Sequence, residues 1–271
     1  MIEDIEPVVM QHIFTQLSLK CGLKEWKEKG QDAITKELKQ LHYHNTFEPV
    51  DPLMLSKTEW ECVIKSHLFL KLKCNATVKG QIVAGGDKQC SYIPKKEAVS
   101  PMASLELVLL TAVIDAHEGW DVTIADMLNA FVQTKLEHDN DNAIVCLQGP
   151  LAQMLHDLAP DVYGPFLWKD KASQPILFFC LLMTLYGIMK AVLLYYCCFV
   201  ADIKSEGFAL NPYDPCITNK IVDDSQLTLV WHVDDIKISH LKSSVVDNMI
   251  KWLKATYECI FEDGSSAMHI S

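Results

Sequence analysis

Residues 227–239 read LTLVWHVDDIKIS, two short apolar stretches on either side of a pair of aspartates. Apolar residues recur at every second position in both stretches, which is the pattern of a half-buried β-strand. Asp234 and Asp235 are therefore predicted to fill the two-residue turn of a β-hairpin. Adjacent carboxylates at a rigid tip repel each other, and divalent cations can offset that repulsion. The stretch favours metal-dependent phosphoryl chemistry.

A third carboxylate, Asp126, follows a short strand predicted at 121–125. If that strand lies beside the hairpin, three carboxylates converge and can hold two divalent ions for attack of a 3′-hydroxyl on an α-phosphate. Carboxylate oxygens suit Mg²⁺, which leaves other positions free for water and substrate phosphates. Taken alone, a pair of aspartates is more often a solvated turn, so both interpretations stay open at this point.

The charge of the chain is acidic and unevenly distributed. The 271 residues are 49% hydrophobic, enough for a sizeable core, and carry a net charge of −11. The first hundred residues hold 14 of the 24 basic residues, and every basic residue is Lys. A net negative charge weakens a claim of nucleic-acid binding, although bound cations would offset part of it. Lys also lacks the planar fork with which Arg grips phosphate.

The ten cysteines form no CxxC pair, and no histidine pair has the spacing of a zinc finger. The N-terminus is acidic and lacks the basic and apolar regions of a signal peptide. These features predict an intracellular, cytoplasmic protein with reduced thiols, not a secreted one.

Periodicity predicts a mixture of helices and strands. Helices are expected at 31–41, 104–117, 151–158 and 245–255, a hairpin at 66–73 and 77–83, and a polar turn at 139–142. The apolar run 176–201 contains one charge, Lys190, and one glycine, Gly187. A central Lys is costly in a bilayer, so a buried strand, a tight turn and a buried helix are favoured, with a membrane span as the alternative.

The chain resembles the reverse transcriptase region of copia-type retrotransposon polyproteins, in a branch that carries HVDD. The resemblance spans nearly the whole chain in ordered blocks. The blocks are EKGQDAITKELKQLH (28–42), PVDPLMLSK (49–57), FLKLKCNATVKGQIVAGGDKQ (69–89), SPMASLELVLLTAVIDAHEGWDV (100–122), DMLNAFVQ (126–133), LYGIMKAVLLYY (185–196), GFALNPYDPCITNK (207–220) and WHVDDIKISH (231–240).

This resemblance implies an α+β fold with the fingers and palm of a reverse transcriptase, in which helices flank an antiparallel palm sheet. It implies an N-terminal helical extension at 1–64, fingers at 65–120 and a palm at 121–271, with fingers and palm interleaved. The expected activity is RNA-directed DNA synthesis with two Mg²⁺ ions, or Mn²⁺, on a template with primer and dNTPs. The partners expected in the parent element are ribonuclease H and integrase domains within a virus-like particle, and no membrane.

The resemblance also assigns roles to residues at matching positions. Asp126, Asp234 and Asp235 match the metal-binding catalytic triad. Phe131 matches the aromatic residue that blocks a nucleotide 2′-hydroxyl, although a core aromatic explains it equally well. The nucleotide-binding segment would include Tyr186 and Gly187, for which a plain turn is the alternative.

Two lysines complete the predicted site. Lys79 matches the fingers strand that approaches the triphosphate, and Lys190 would meet backbone phosphate. A solvated lysine is the alternative for Lys79, and a side chain snorkelling from an apolar helix is the alternative for Lys190.

The chain departs from the family where arginines are expected. Gln81, Asp87 and Cys90 replace arginines of the fingers hairpin, and Trp120 replaces another. Each lost guanidinium removes charge-assisted bonds of about 1.5–3 kcal/mol. The chain also ends soon after the helix that follows the catalytic hairpin, so the thumb is expected to be absent. Activity is expected to be impaired, and the alternative is a catalytically silent remnant that binds nucleic acid or protein.

Overall fold

The computed structural model describes residues 16–73, 76–127, 129–136 and 143–257. The strands are β1 Gln16–Ser18, β2 Phe47–Pro49, β3 Ile64–Leu72, β4 Val78–Ala84, β5 Asp121–Asp126, β6 Ile144–Gln148, β7 Trp168–Lys169, β8 Pro175–Leu181, β9 Ala209–Leu210, β10 Ile217–Val222, β11 Ser225–His232 and β12 Asp235–His240. The helices are α1 Leu19–Tyr43, α2 Lys57–Cys62, α3 Leu105–Glu118, α4 Pro150–Leu158, α5 Pro160–Tyr163, α6 Ala191–Ser205 and α7 Ser243–Tyr257. The expected α+β class is confirmed, whereas fingers and palm remain a prediction, and the turn expected at 139–142 lies outside the described residues.

The chain divides into two compact units, each built from two segments. The first unit comprises Met1–Pro94 and Lys135–Ala191, and the second comprises Lys95–Thr134 and Val192–Ser271. Within the described part of 1–64, β1 pairs with β3 and β2 pairs with β8, so strands as well as helices occur in the expected helical extension.

The first unit contains a mixed seven-stranded sheet. Its main path runs β1-β3-β6-β8-β2, while β4 pairs with β3 and β7 pairs with β8. Strands β3 and β4 form the expected hairpin, and β3 pairs with β6 in parallel. Helix α1 lies on this hairpin and places the backbone of Ala33 beside Gly80 of β4. The helix predicted at 31–41 is thus the second part of α1, which is kinked where Lys27 leaves helical geometry.

The apolar run 176–201 resolves into the strand, turn and helix that the sequence favours. It is β8, then a turn in which Gly187 has φ of +88°, then most of α6. Strand β8 is central and largely buried, because it pairs with β2, β6 and β7. None of the helices in the described ranges combines the length and the apolar character that a bilayer crossing requires.

The second unit is organised around an antiparallel sheet with the strand order β5-β12-β11-β10-β9. One face carries Trp231, whose ring meets Phe199 of α6 at a centroid distance of 5.2 Å. Tyr257 of α7 packs against Phe199 and donates a hydrogen bond of 2.5 Å to Asp202 of α6. Burial and the neighbouring Asp202 carboxylate raise the pKa of Tyr257 above its ordinary range.

Helix α3 has a capping residue at each end. The Ser104 hydroxyl accepts the Leu107 N–H, and Gly119 closes the helix in the left-handed conformation. The Ser104 N–H donates 2.8 Å to the buried carboxylate of Asp214, which ties the start of the helix to the loop before β10. Although the helix is apolar in sequence, its one buried residue is Asp115.

Candidate active site

The three predicted metal-binding aspartates have neighbouring backbone positions at one end of the sheet in the second unit. Strand β12 pairs with β5 so that Asp235 lies directly opposite Asp126. Asp234 precedes β12, and its carbonyl oxygen accepts the Met127 N–H at 2.8 Å. Directly opposed residues of an antiparallel pair point to the same side, with Cβ atoms about 5 Å apart. The sheet therefore gathers residues that are more than a hundred positions apart in the sequence.

The turn differs by one residue from the prediction. His232 pairs with Asp235, so the two turn residues are Val233 and Asp234, and Asp235 is the first residue of β12. The expectation that Asp234 and Asp235 fill the turn was wrong by one position, because β11 already ends at His232 and β12 begins at Asp235. Val233 has φ of +59°, which is rare for a β-branched residue and stores backbone strain beside Asp234.

The carboxylates of Asp126 and Asp235 are exposed. Neither makes a hydrogen bond or an ion pair with any residue that the structure describes, so both are free to accept a cation. Facing carboxylate oxygens match the ligands that Mg²⁺ and Mn²⁺ prefer. Within the described ranges, however, no three His, Cys, Asp or Glu side chains are arranged closely enough to hold an ion. The carboxylates of the aspartates are thus the right type of ligand, and their backbone positions are close together, but the side chains do not surround an ion.

A buried ion pair lies beside the carboxylates and was not predicted. The ammonium of Lys237 on β12 donates to Asp115 on α3 and, at 2.9 Å, to the hydroxyl of Thr111. The side chains of Lys237 and Asp115 are only 13% and 5% exposed. Alternation along β12 could have placed Lys237 on the same face as Asp235, but nothing in the sequence pairs it with Asp115.

The second pair of adjacent aspartates in the sheet provides an internal comparison. Asp223 and Asp224 fill the turn between β10 and β11, and both have positive φ. This turn is at the opposite end of β11 from Val233. Asp223 is held by Lys242 at 3.0 Å, and both side chains are about half-exposed. This pair is the solvated turn that a pair of aspartates usually represents, since no carboxylate faces it across the ladder.

Phe131 lies in the same unit as the aspartates but is buried. Its side chain is 5% exposed, and its ring meets Tyr195 of α6 edge-on at 5.9 Å. Tyr195 in turn stacks on Phe199, so the ring belongs to an aromatic cluster. This placement favours the core alternative, and a role against the nucleotide 2′-hydroxyl stays a prediction.

In the first unit, Tyr186 and Gly187 lie against the end of β4. The Tyr186 carbonyl oxygen accepts the Ala84 N–H at 2.7 Å. A Cβ on Gly187 would lie 2.0 Å from the Ala84 oxygen, and a Cβ on Gly86 would lie 1.9 Å from the Gly187 oxygen. Both positions therefore require glycine. The turn is a close backbone-to-backbone contact, which fits the plain-turn alternative for Gly187, and its nucleotide-binding role stays a prediction.

A further hydrogen bond joins the segment after β4 to the turn that contains Lys190. The buried amide of Gln89 accepts the Met189 N–H at 2.9 Å. Lys190 follows in the turn before α6 and is part-exposed, not placed in the middle of a helix. Its predicted contact with backbone phosphate is not tested by this geometry.

Lys79 belongs to a basic surface on the β3–β4 hairpin. It lies directly opposite Lys71, and both side chains are exposed. Strand alternation puts Lys65, His67 and Phe69 on the same face as Lys71. The opposite face of the hairpin is buried under α1.

The buried side of this hairpin holds an unexpected acid. Glu37 of α1 accepts the Ile82 N–H at 2.9 Å. Burial raises the pKa of Glu37 to about 7, although the Ile82 N–H and the nearby Lys79 act in the opposite direction. The helix at 31–41 was predicted without this contact, because no local pattern pairs Glu37 with the backbone of β4.

A cleft of about 610 Å³ opens beside the basic surface. Its walls come from the start of α1, from β3 and from the β6–α4 junction. The polar and aromatic lining includes Lys20, His67, Phe69 and Gln148. No local sequence pattern indicated this cleft, because its walls are distant in the chain.

No protein-family model matches the chain, and no curated protein matches it. Among solved structures, telomerase from Candida tropicalis in complex with a fragment of telomeric RNA has a TM-score of 0.43 and 13% identity, over 86% of this chain and 43% of that chain. The corresponding complex from Candida albicans has a TM-score of 0.35 and 11% identity, over 86% and 45%. Apo telomerase from Candida tropicalis has a TM-score of 0.42 and 12% identity, over 86% and 46%. The chain thus spans less than half the length of each of these telomerase chains.

Proposed function

We propose that this chain is the fingers and palm region of a copia-type reverse transcriptase and that it carries out template-directed DNA synthesis. Its partners would be an RNA or DNA template, a primer and dNTPs. Asp126, Asp234 and Asp235 would hold two Mg²⁺ or Mn²⁺ ions. When bound, the ions would supply Lewis-acid chemistry for attack of a primer 3′-hydroxyl on the α-phosphate of a dNTP.

One observation carries this proposal: the β5–β12 register places Asp126 opposite Asp235, with Asp234 in the adjoining turn. In the family that the chain resembles, the matching positions are the catalytic aspartates. A solvated turn would not need a facing carboxylate from a distant strand, and the Asp223–Asp224 turn has none. The strain at Val233 is a further sign of a functional turn, since strained residues cluster at such sites.

The chain's own residues also limit the proposed activity. Gln81, Asp87 and Cys90 stand where the family carries arginines that would meet the triphosphate. Lys79 and Lys71 supply positive charge on the hairpin, but as point charges without a bidentate fork. We therefore expect weak binding of dNTPs and slow synthesis.

Primer extension on poly-rA with oligo-dT, in Mg²⁺ and separately in Mn²⁺, tests the proposal. Asp234→Asn should lower incorporation at least about a hundredfold, because it removes a ligand worth several kcal/mol of transition-state stabilisation. Asp224→Asn is the matched control, since it makes the same change in the other aspartate turn, and it should leave incorporation unchanged. Equal activity of the two variants, or none in a folded wild-type sample, would reject the proposal.

The second candidate is nucleic-acid binding without catalysis. The observation that favours it is the exposed face of β3 and β4, where Lys65, Lys71 and Lys79 accompany His67 and Phe69. Lysines that follow a phosphate backbone and rings on which bases stack are typical of single-strand binding. The cleft beside this face could receive a base.

Fluorescence anisotropy with a labelled oligonucleotide separates the two candidates. A silent binding module predicts that the wild type binds the oligonucleotide but incorporates no nucleotide. It also predicts that Lys71→Glu and Lys79→Glu each lose this binding. Incorporation that depends on Asp234 would support the enzyme whatever the binding strength.

A further inference from the structure

Lys237 and Asp235 lie on the same face of β12. Residues two apart on a strand point to the same side, with about 6.8 Å between their Cα atoms. The residues across the ladder are Asp126, opposite Asp235, and Ile124, opposite Lys237. A lysine side chain is long enough to bridge that spacing, so an unrestrained Lys237 could reach the carboxylates of Asp126 and Asp235.

The structure shows the ammonium of Lys237 bound by helix α3 instead. This ammonium is held by Thr111 and Asp115, which are one helical turn apart and therefore lie on the same face of α3. Lys237 and Asp115 are 13% and 5% exposed, so water screens the pair poorly.

Helix α3 makes this contact in an unusual way. Asp115 is its one buried residue, while Leu109 and Val113 are 57% and 64% exposed. An apolar helix would ordinarily bury its leucines. Helix α3 contacts Lys237 of β12 through an ion pair. The buried side chain of this helix therefore binds the lysine.

We propose that Asp115 is a positioning residue that keeps the ammonium group of Lys237 away from the carboxylates of Asp126 and Asp235. This inference rests on the proposed role of those carboxylates in holding divalent ions. An ammonium released from Asp115 has Asp235 within the reach of its side chain, because both residues lie on the same face of β12. It then neutralises a carboxylate and repels an incoming cation.

Titration of Mn²⁺ into the full chain, followed by electron paramagnetic resonance of the free ion, tests this without measuring activity. Asp115→Ala should weaken Mn²⁺ binding roughly tenfold, the effect of one added positive charge at close range. The double variant D115A/K237M removes the released charge and should restore binding to about the wild-type value. K237M alone should bind Mn²⁺ at least as tightly as the wild type.

Two further variants keep the test decisive. Asp115→Asn preserves the shape of the side chain and replaces D115A if that variant does not fold, which circular dichroism shows directly. Asp223→Ala releases Lys242 from a half-exposed ion pair at the opposite end of β11. This control should leave Mn²⁺ binding unchanged, because the freed lysine is remote from Asp235.

A purely structural role for the pair predicts a different result. The single variants and D115A/K237M would then change the unfolding midpoint but not the Mn²⁺ affinity of the folded protein, and the inference would be overturned. Failure of D115A/K237M to restore binding would overturn it as well. If wild type and Asp234→Asn bind Mn²⁺ equally, the proposed function itself fails, and this inference falls with it. If Asp234→Asn loses binding while D115A keeps it, only this inference fails.

Discussion

Asp126 and Asp235 lie directly opposite each other across the antiparallel pair of β5 and β12. Like charges in such positions destabilise a sheet. The pairing nevertheless continues to Asp126, the last residue of β5. The rest of the β5–β12 ladder, as far as the pair of Asp121 and His240, holds the two strands together. The fold thus retains an unfavourable contact, which is expected where a bound cation offsets the charge.

Asp126→Asn should make the cation-free protein more stable. Removing one of two facing charges is expected to raise the free energy of unfolding by up to about 1 kcal/mol at low salt. Saturating Mg²⁺ should abolish or reverse this gain, because the ion stabilises the wild type and not the variant. Urea denaturation without Mg²⁺ measures the gain in the free energy of unfolding, and urea denaturation with Mg²⁺ measures its loss. A variant that is less stable than wild type without cations would contradict the repulsion argument.

Val233→Gly should stabilise the hairpin, because glycine adopts positive φ without the steric cost that valine bears. We expect a gain of about 1 kcal/mol in the free energy of unfolding. Val222→Gly is the matched control, since Val222 is also part-exposed but has no positive φ. That change should destabilise by roughly the same amount. Loss of stability in both variants would show that Val233 is not strained.

Gly187→Ala should be strongly destabilising, since the added Cβ would lie 2.0 Å from the Ala84 oxygen. Overpacking against backbone and a strained φ together should cost about 3 kcal/mol or more. Gly207→Ala provides the comparison, because φ is +84° there but the nearest atom is Lys220 Cε at 3.8 Å. That variant should lose only about 1 kcal/mol. Similar losses at both positions in thermal unfolding would contradict the close contact.

Glu37 should make stability fall as the pH rises. Its pKa is about 7 in the folded state and 4.5 in the unfolded state, so the folded state binds more protons between these values. The stabilising contribution of Glu37 is therefore fully present below pH 4.5 and is lost as the pH rises to about 7, by on the order of 3 kcal/mol in all.

Glu37→Gln should remove this dependence and make the protein more stable at pH 8, since no charge is then buried. Glu28→Gln changes an exposed glutamate of the same helix and should leave the pH profile of the unfolding midpoint intact. An unchanged profile in Glu37→Gln would show that another group is responsible.

Local patterns in the sequence predicted the elements well. The alternation around Asp234 indicated β11 and β12, and the apolar run 176–201 indicated a strand, a turn and a helix. The end of the turn was off by one residue, because pairing of His232 with Asp235 depends on ladder geometry and not on composition. The sequence predicted that Asp126 and Asp235 lie close together only if their strands are neighbours, because the order of strands in a sheet is a non-local property.

Burial in helix α3 was the least predictable feature. Its apolar sequence correctly indicated a helix, but periodicity implies that leucines are buried, whereas the structure buries Asp115. Contacts between ionisable groups such as Asp115 and Lys237 join distant elements and leave no local signature. The pairing of Glu37 with Ile82 was missed for the same reason.

The location of bound Mn²⁺ tests the central claim most directly. Paramagnetic broadening of backbone amide signals can be mapped by nuclear magnetic resonance on the full chain at low Mn²⁺ occupancy. We predict that broadening centres on Asp126, Asp234 and Asp235 and disappears there in Asp234→Asn. Broadening centred on Asp223 and Asp224 instead, or broadening at Asp126 that persists in Asp234→Asn, would contradict a metal site formed by the three aspartates.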